Sequence, residues 1–457
     1  MFEKLKDFFK KVRDLFSKND IKTVFGTDTA ISEAMSEKIT EWLNAYRGVA
    51  PWLDDYVKSL RIEESICREF ADVVMSEMTV KVSNKKLDDI VQKNISMLTE
   101  NLQSGIALGS FVLKPLGEDK AEFVTADKFV VLSFTDDGKV DDIAFVSKKV
   151  VAQNDIYHRF ERHTLDKNGL TIKNYAYHSK SEGSLGTRCD LSEVYSWADL
   201  PDEVTYPADR VDFGYYRNPI KNEIDGSFNG VSVFYGAMEL IKMADVQFGR
   251  LEWEFESGER AINVDITALA TTPTRDEKGK TVYRTPKLNK RLYRGLNLDS
   301  GNGELYKEFS PEFREASIIN GLEQMLRKIE FIVGLAYGDL SKTDIVEKTA
   351  EEIKHSKSRK YNRVKAIERN LQTCLEDFIY GLSFYNRLSK SGYTVTCNFA
   401  DSILTSEEAE RKQDAQDVAM GAMALWEYRM KWYNEDETTA KKRIAESTTE
   451  GTTEVLE

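Results

Sequence analysis

The sequence predicts an α+β protein in which long α-helices and an antiparallel β-sheet occupy separate stretches of the chain. Three observations carry this. Apolar residues recur at helical three- and four-residue spacing over Gly230–Glu256, Pro311–Tyr337 and Thr349–Leu388. Between about 105 and 180, alternating and β-branched runs flank Asp136-Asp137-Gly138 and Asp166-Lys167-Asn168-Gly169, which are hairpin signals. Finally, a short, β-rich, basic excursion separates the first two of those helical stretches.

In chain order, Met1–Lys18 places Phe2, Leu5, Phe9, Val12 and Phe16 on one face with basic residues opposite. Such a helix packs on its own protein or lies on a membrane surface. Residues 31–104 continue mostly helical, with Ile62, Ile66, Phe70 and Val74 as one stripe. Strands are expected at Phe129–Phe134, Val140–Val146, Ile156–His163 and Leu170–His178, in a sheet with one solvated face. Residues 181–229 are loop-rich, with Tyr195, Trp197, Phe213 and Tyr216 as aromatic anchors.

Gly230–Glu256 and Pro311–Tyr337 lack an internal proline, so each can run as one helix of about 26 residues, roughly 39 Å. Their stripes include Val233, Ala237, Leu240, Ala244 and Phe248 in the first, and Ile318, Leu322, Met325, Ile329 and Ile332 in the second. Such stripes are broad for a lone hairpin and call for neighbours on both sides. Arg275–Arg294 between them carries eight Lys or Arg against two acidic residues. This island is either a solvated tip or a docking surface for protein or DNA, and its sign against the rest of the chain favours docking. A polar loop, Gly338–Lys348, leads into the third long helix. The first turns of that helix, Lys354–Lys365, hold six Lys or Arg and no acid, which reads as a solvated face. A strand at Tyr393–Phe399 is expected to return to the sheet. Thr405 with Glu408 forms a capping box for the last helical region, and 446–457 reads as a frayed tail.

The chain has 457 residues, room for several cores, and a formal net charge of −13. Tight DNA binders neutralise many phosphates with a basic face, so any nucleic-acid contact here is expected to be local or transient. No apolar run is long enough for a membrane span, and the N-terminus lacks a secretory leader. Cys67, Cys189, Cys374 and Cys397 stand far apart and read as reduced thiols of a cytoplasmic protein.

Reaction motifs are missing. There is no GxxxxGK[ST] phosphate loop, no GxSxG elbow, no HExxH and no GxGxxG. His158, Glu161, His163 and His178 are the nearest approach to a metal set. However, His158 and His163 are five apart on a strand and face opposite ways, and pairing about Asn168-Gly169 sets His163 near Asn174 and His178 near Arg159. No metal, cofactor or catalytic residue is expected, and these histidines read as solvated or edge-strand residues. Acid pairs such as Glu351/Glu352 sit at helix starts, where the dipole accounts for them.

The order of these elements resembles the portal proteins of tailed bacteriophages, most closely those of long-tailed phages of Gram-positive bacteria. Four stretches carry the resemblance. They are HRFERHTLDKNGLTIKNYAYHSKSEGSLG at 158–186, DGSFNGVSVFYGAMELIKMADVQFGRLEWEFESGERAI at 225–262, VEKTAEEI at 346–353 and NFADSILTSEEAERKQ at 398–413. It implies the portal fold: a wing at 1–229 (helical lead 1–104, sheet part 105–229) completed by 349–404, stem helices at 230–257 and 312–337, and a clip at 258–311. A tunnel loop at 338–348 and a short crown at 405–457 complete it.

The resemblance also implies a non-enzymatic, normally dodecameric ring at one capsid vertex, made in the host cytoplasm and carried in the virion. Double-stranded DNA is packaged and ejected through its channel. Its partners would be the terminase large subunit, the major capsid and scaffolding proteins and a head-completion or adaptor protein, with no membrane. Lys342 and Lys348 would touch DNA from the tunnel loop. Lys287, Lys290, Arg291 and Arg294 would meet partners or exiting DNA from the clip. The alternatives are a membrane-associated phage scaffold using Met1–Lys18, or a nucleic-acid-processing phage protein, which would need an acidic metal cluster.

Overall fold

The long apolar stripes of this chain meet in one main core, and that core sets the architecture. The structure is a computed structural model. It describes residues 18–152, 155–181, 183–265, 272–275, 277–284, 293–296, 306–342, 350–388, 392–399, 407–433 and 435–453. The amphipathic stretch Met1–Lys18 lies almost wholly outside them, as does Thr405 of the expected capping box. Helix at 46% and strand at 23%, in mostly antiparallel sheets, make the fold α+β.

The described residues open with α1 (Lys18–Phe25), α2 (Glu33–Tyr46) and α3 (Ile62–Glu77). Ser32 caps α2 by accepting the Met35 N–H at 3.0 Å. A short strand follows, β1 (Met78–Val82), and then α4 (Lys85–Leu108), capped by Asn84. The helical reading of 31–104 missed β1, which is five residues long between two strong helical patterns. Its partner is the C-terminal strand β16 (Val395–Phe399), with Val80 opposite Cys397. That late strand therefore does not rejoin the main sheet as expected.

Strands β2 (Ser110–Pro115), β3 (Ala121–Thr125) and β10 (Gly214–Arg217) form a three-stranded sheet in the order β10-β2-β3. The larger sheet runs β4 (Phe129–Phe134), β5 (Val140–Ala152), β6 (Asp155–Asp166), β7 (Gly169–Ser179) and β8 (Thr187–Cys189), with β9 (Glu203–Tyr206) also on β7. The expected strands are present, but the β6–β7 register differs. Asp166 pairs with Gly169, so Lys167-Asn168 is the two-residue loop, and His163 faces Ile172. Gly169 has φ +119° and opens the strand instead of filling the turn.

Both faces of this sheet carry buried side chains, where one solvated face was expected. Ile21, Val24 and Phe25 of α1 pack on Phe160 and Tyr177 from one side. On the other, the 191–197 turns bring Leu191, Val194 and Trp197 onto Ala176.

After β10 come α5 (Met238–Ser257), the tip strands β11 (Ala261–Asp265), β12 (Thr272–Arg275), β13 (Thr281–Arg284), β14 (Tyr293–Leu296) and β15 (Tyr306–Phe309), and then α6 (Glu315–Val333). Next are α7 (Ala350–Tyr385) and β16, followed by α8 (Glu407–Ala419), α9 (Leu425–Tyr433) and α10 (Glu437–Thr453). Helix α10 continues through 446–453, which the low apolar content had marked as tail.

The main core gathers α2 to α4 around α7, whose Val364, Ile367, Leu371, Leu375, Phe378 and Leu382 are all buried. Cys67 and Cys374 lie in that core, and burial pushes both thiols well above their usual range. Among the described residues no helix is long and apolar enough to cross a membrane.

Candidate DNA and partner contact surfaces

Helices α5 and α6 form the antiparallel pair that the sequence called for, but each is shorter than its stripe. At 20 and 19 residues they span about 30 and 28 Å. The reasons are local. Before α5, the Val233 N–H is given to the Ile106 carbonyl, and Asn218 donates to the Val231 carbonyl. Residues 230–234 are thereby tied to the end of α4 instead of to a helix. At the other strand of the pair, the Arg314 N–H is committed to the Glu254 carboxylate at 2.8 Å, and α6 begins only after it.

Glu254 also accepts from Arg314 Nε and Nη2, which closes the pair next to the tip, where Phe255 and Phe313 pack at 5.6 Å. On the side of the loop between α2 and α3, Asp245 of α5 accepts from Trp52 Nε1 and the Leu60 N–H, both at 2.8 Å. Gly249 permits this approach, because a Cβ there would stand 2.6 Å from the Tyr56 carbonyl oxygen. Beyond these contacts several apolar side chains of the pair stay partly exposed in a single copy. Met243, Trp253, Phe255 and Phe331 are each about half exposed.

Helix α6 ends at Gly334, whose φ of +92° no β-branched residue would tolerate. The chain then turns back along α6. Glu330, fully buried, accepts the N–H groups of Gly338, Leu340 and Ser341 on Oε1 at 3.1, 2.6 and 2.8 Å. Its Oε2 accepts the Ser341 hydroxyl at 2.9 Å. Seven residues earlier, Glu323 takes the Lys342 N–H at 2.8 Å. Lys342 itself is exposed.

Sequence reasoning missed these two acids. Their signal was faint: two glutamates two turns apart on one face of a helix rich in apolar residues.

The basic start of α7 is only in part the solvated face that was expected: Lys357 is exposed, but three of its neighbours are engaged. Lys360 is buried and bridges Asp339 at 3.2 Å as well as pairing with Glu69. Arg359 donates to the Leu335 carbonyl and lies over the rings of Phe331 and Tyr337, each 4.8 Å away. Arg363, half-buried, donates to the Pro219 carbonyl. These charges hold α7 to the turn after α6, to α3 and to the segment at Pro219.

At the tip, β11 pairs parallel with β14 and antiparallel with β15, which is exposed along its length. Strands β12 and β13 make a separate ribbon. Of the expected contact residues, Arg294 sits in β14 opposite Asn263. Lys287, Lys290, Arg291 and Lys348 lie outside the described residues.

His158 and His163 are buried, not solvated. His163 lies between Asp212, 2.8 Å from Nδ1, and Glu161, 2.9 Å from Nε2. Glu161 also pairs with Lys114 at 2.9 Å and Arg159 at 2.8 Å, while the Tyr385 hydroxyl donates to Asp212 at 2.6 Å. This buried network joins β2, β6, the segment before β10 and the end of α7. Burial would raise Glu161, but Lys114 and His163 outweigh it and hold the carboxyl well below its usual range. Burial and then Asp212 push the Tyr385 hydroxyl upward. The members of this network are largely buried and pair with one another, with Arg159 Nε left without a partner among the described residues, so it braces the strands and helix that it joins. Among the described residues no group of three or more His, Cys, Asp or Glu is placed to hold a metal ion.

What these surfaces offer is contact: exposed apolar side chains on the helices, a hydrogen-bonded turn bearing an exposed lysine, and an exposed strand at the tip. No family model matches the chain, and no curated protein matches it significantly.

Proposed function

We propose that this chain is the subunit of a portal-type ring, a non-enzymatic conduit for double-stranded DNA at a phage capsid vertex. The observation that carries the proposal is the α5–tip–α6 arrangement. A helix leaves the wing, a small sheet caps it and a second helix returns, with Met243, Trp253, Phe255 and Phe331 left open to water in a single copy. Repeated heterologous contacts around a closed ring would cover such faces. The order of the remaining elements supports the same assignment, with a bent-back turn after α6 leading into the long α7.

Charge supports it too. The chain is acidic overall, and Lys360, Arg359 and Arg363 are spent on internal contacts. Strong phosphate neutralisation would brake a sliding duplex, and here little is on offer. Lys342 would touch DNA from the turn, with Lys348 beyond it. The tip, with Lys287, Lys290, Arg291 and Arg294, would meet the terminase and later the head-completion protein.

Imaging of the purified full chain with its mass in solution tests the proposal. Closed rings with a central hole are expected. A chain that stays monomeric alongside its coat and scaffolding proteins, or that cleaves DNA when divalent metal is added, overturns it.

A further inference from the structure

Glu330 is wholly removed from water, and its carboxylate is met by the backbone. Three N–H groups from Gly338, Leu340 and Ser341 converge on one oxygen, and the Ser341 hydroxyl donates to the other. This is the geometry of an anion nest, filled from within by the helix that precedes it. Glu323 extends the arrangement by taking the Lys342 N–H. Two acids seven residues apart on α6 therefore hold the amides of Gly338, Leu340, Ser341 and Lys342 as the chain runs back along the helix.

We infer that Glu330 is the positioning residue for Lys342. Opening the turn would strand a buried carboxylate and three amides without partners, so the backbone up to Lys342 is held stiff. The ammonium then moves over the reach of its own stem and not over the swing of a loop. It is offered from a fixed height on each subunit to the phosphodiester backbone of a passing duplex. The identity of that ligand rests on the conduit proposed above; the clamp itself does not.

Glu330→Gln tests the inference in the full-length chain. It keeps the shape and one acceptor, removes the charge, and places an NH2 group against the donating Ser341 hydroxyl. Amide hydrogen exchange at Gly338, Leu340 and Ser341 is expected to speed up at least about tenfold, with the amides of Ile367–Leu375 in α7 unchanged as a control on the fold. Unchanged exchange at the three amides overturns the inference.

Binding to a duplex of about 30 base pairs at low salt supplies the second readout. Lys342→Ala and Glu330→Gln are each expected to weaken binding by about two- to tenfold and to flatten its salt dependence. Glu330→Gln should add nothing once Lys342 is Ala. Additive effects in the double variant overturn the positioning role even if exchange has risen. A native chain that binds no duplex removes the ligand and the conduit with it, while hydrogen exchange still decides the clamp.

Discussion

His158 and His163 lie on opposite faces of β6, both almost fully buried, and their surroundings push them in opposite directions. Burial, reinforced by the charge of Lys148, drives His158 down to about 4. At His163 burial pulls the same way, but the charges and hydrogen bonds of Asp212 and Glu161 outweigh it and hold the ring up at about 9. One strand thus carries a neutral and a charged histidine at neutral pH.

The two should shape the pH dependence of stability from opposite sides. His163, raised above its unfolded value of 6.5, contributes fully below that value, and the contribution is lost as pH rises through about 9. That linkage is worth about 3 kcal/mol. His158, depressed, contributes fully above 6.5, and its contribution is lost as pH falls through about 4. Chemical denaturation of the native chain and of His163→Asn between pH 5 and 9.5 measures the first effect. The variant should be less stable at pH 6 and should lack the decline towards pH 9. A decline of equal size in both proteins would count against the assignment.

A second titration belongs to Glu63, buried in α3, whose Oε2 has no hydrogen-bond partner among the described residues. Burial first, and then the charge of Asp245, raise its carboxyl from 4.5 to about 7, with Arg61 opposing. An acid held above its unfolded value loses stability as pH climbs from 4.5 through about 7, by about 3 kcal/mol in all. Glu63→Gln, neutral throughout, should therefore gain stability over the native chain at pH 8 and little at pH 5. Thermal melts at those two pH values decide it, and an equal shift at both would refute the linkage.

The parts of the fold that were readable from sequence follow from how far a pattern extends. The stripe of α7 runs from Val364 to Leu382 with one buried face, and the structure keeps it. Strand β1 has five residues between two helices, too few for a period of two to stand out, and its partner lies more than 300 residues away. The same limit hid the functional details. His163 was legible as a face of β6, but its partner Asp212 comes from another stretch, so burial could not be foreseen. Glu330 and Glu323 look like ordinary helix-surface acids until the turn folds back onto them. The basic run at Lys354–Lys365 misled for the same reason, since Glu69, Asp339 and the Leu335 carbonyl that engage it are remote in sequence or hidden in backbone.

If the chain works as proposed, Lys342 and Lys348 meet DNA and do not build the ring. Replacing both by Ala should leave rings intact and their thermal stability within about 0.5 kcal/mol per subunit of native, since on this reading neither side chain takes part in a subunit contact. DNA packaging in an assembly reaction should change in rate or completeness. Loss of rings in the double variant would count against placing these lysines in the channel.

The exposed residues of α5 lead to the opposite outcome. Met243 and Trp253 are 50% and 59% exposed in the single copy, so they add little to the subunit's own core. A glutamate in either place stays solvated in a monomer at small cost. In a ring the same glutamate would be carried into an apolar contact and would lose its hydration, which burial does not repay without a partner charge. Met243→Glu and Trp253→Glu should therefore keep the native melting temperature of the monomer and fail to form rings, while Arg250→Glu in the same helix gives a charge control. Light scattering, run beside thermal melts, separates the two effects. Variants that assemble as well as the native chain would mean that α5 faces solvent in the ring and that the subunit contact lies elsewhere.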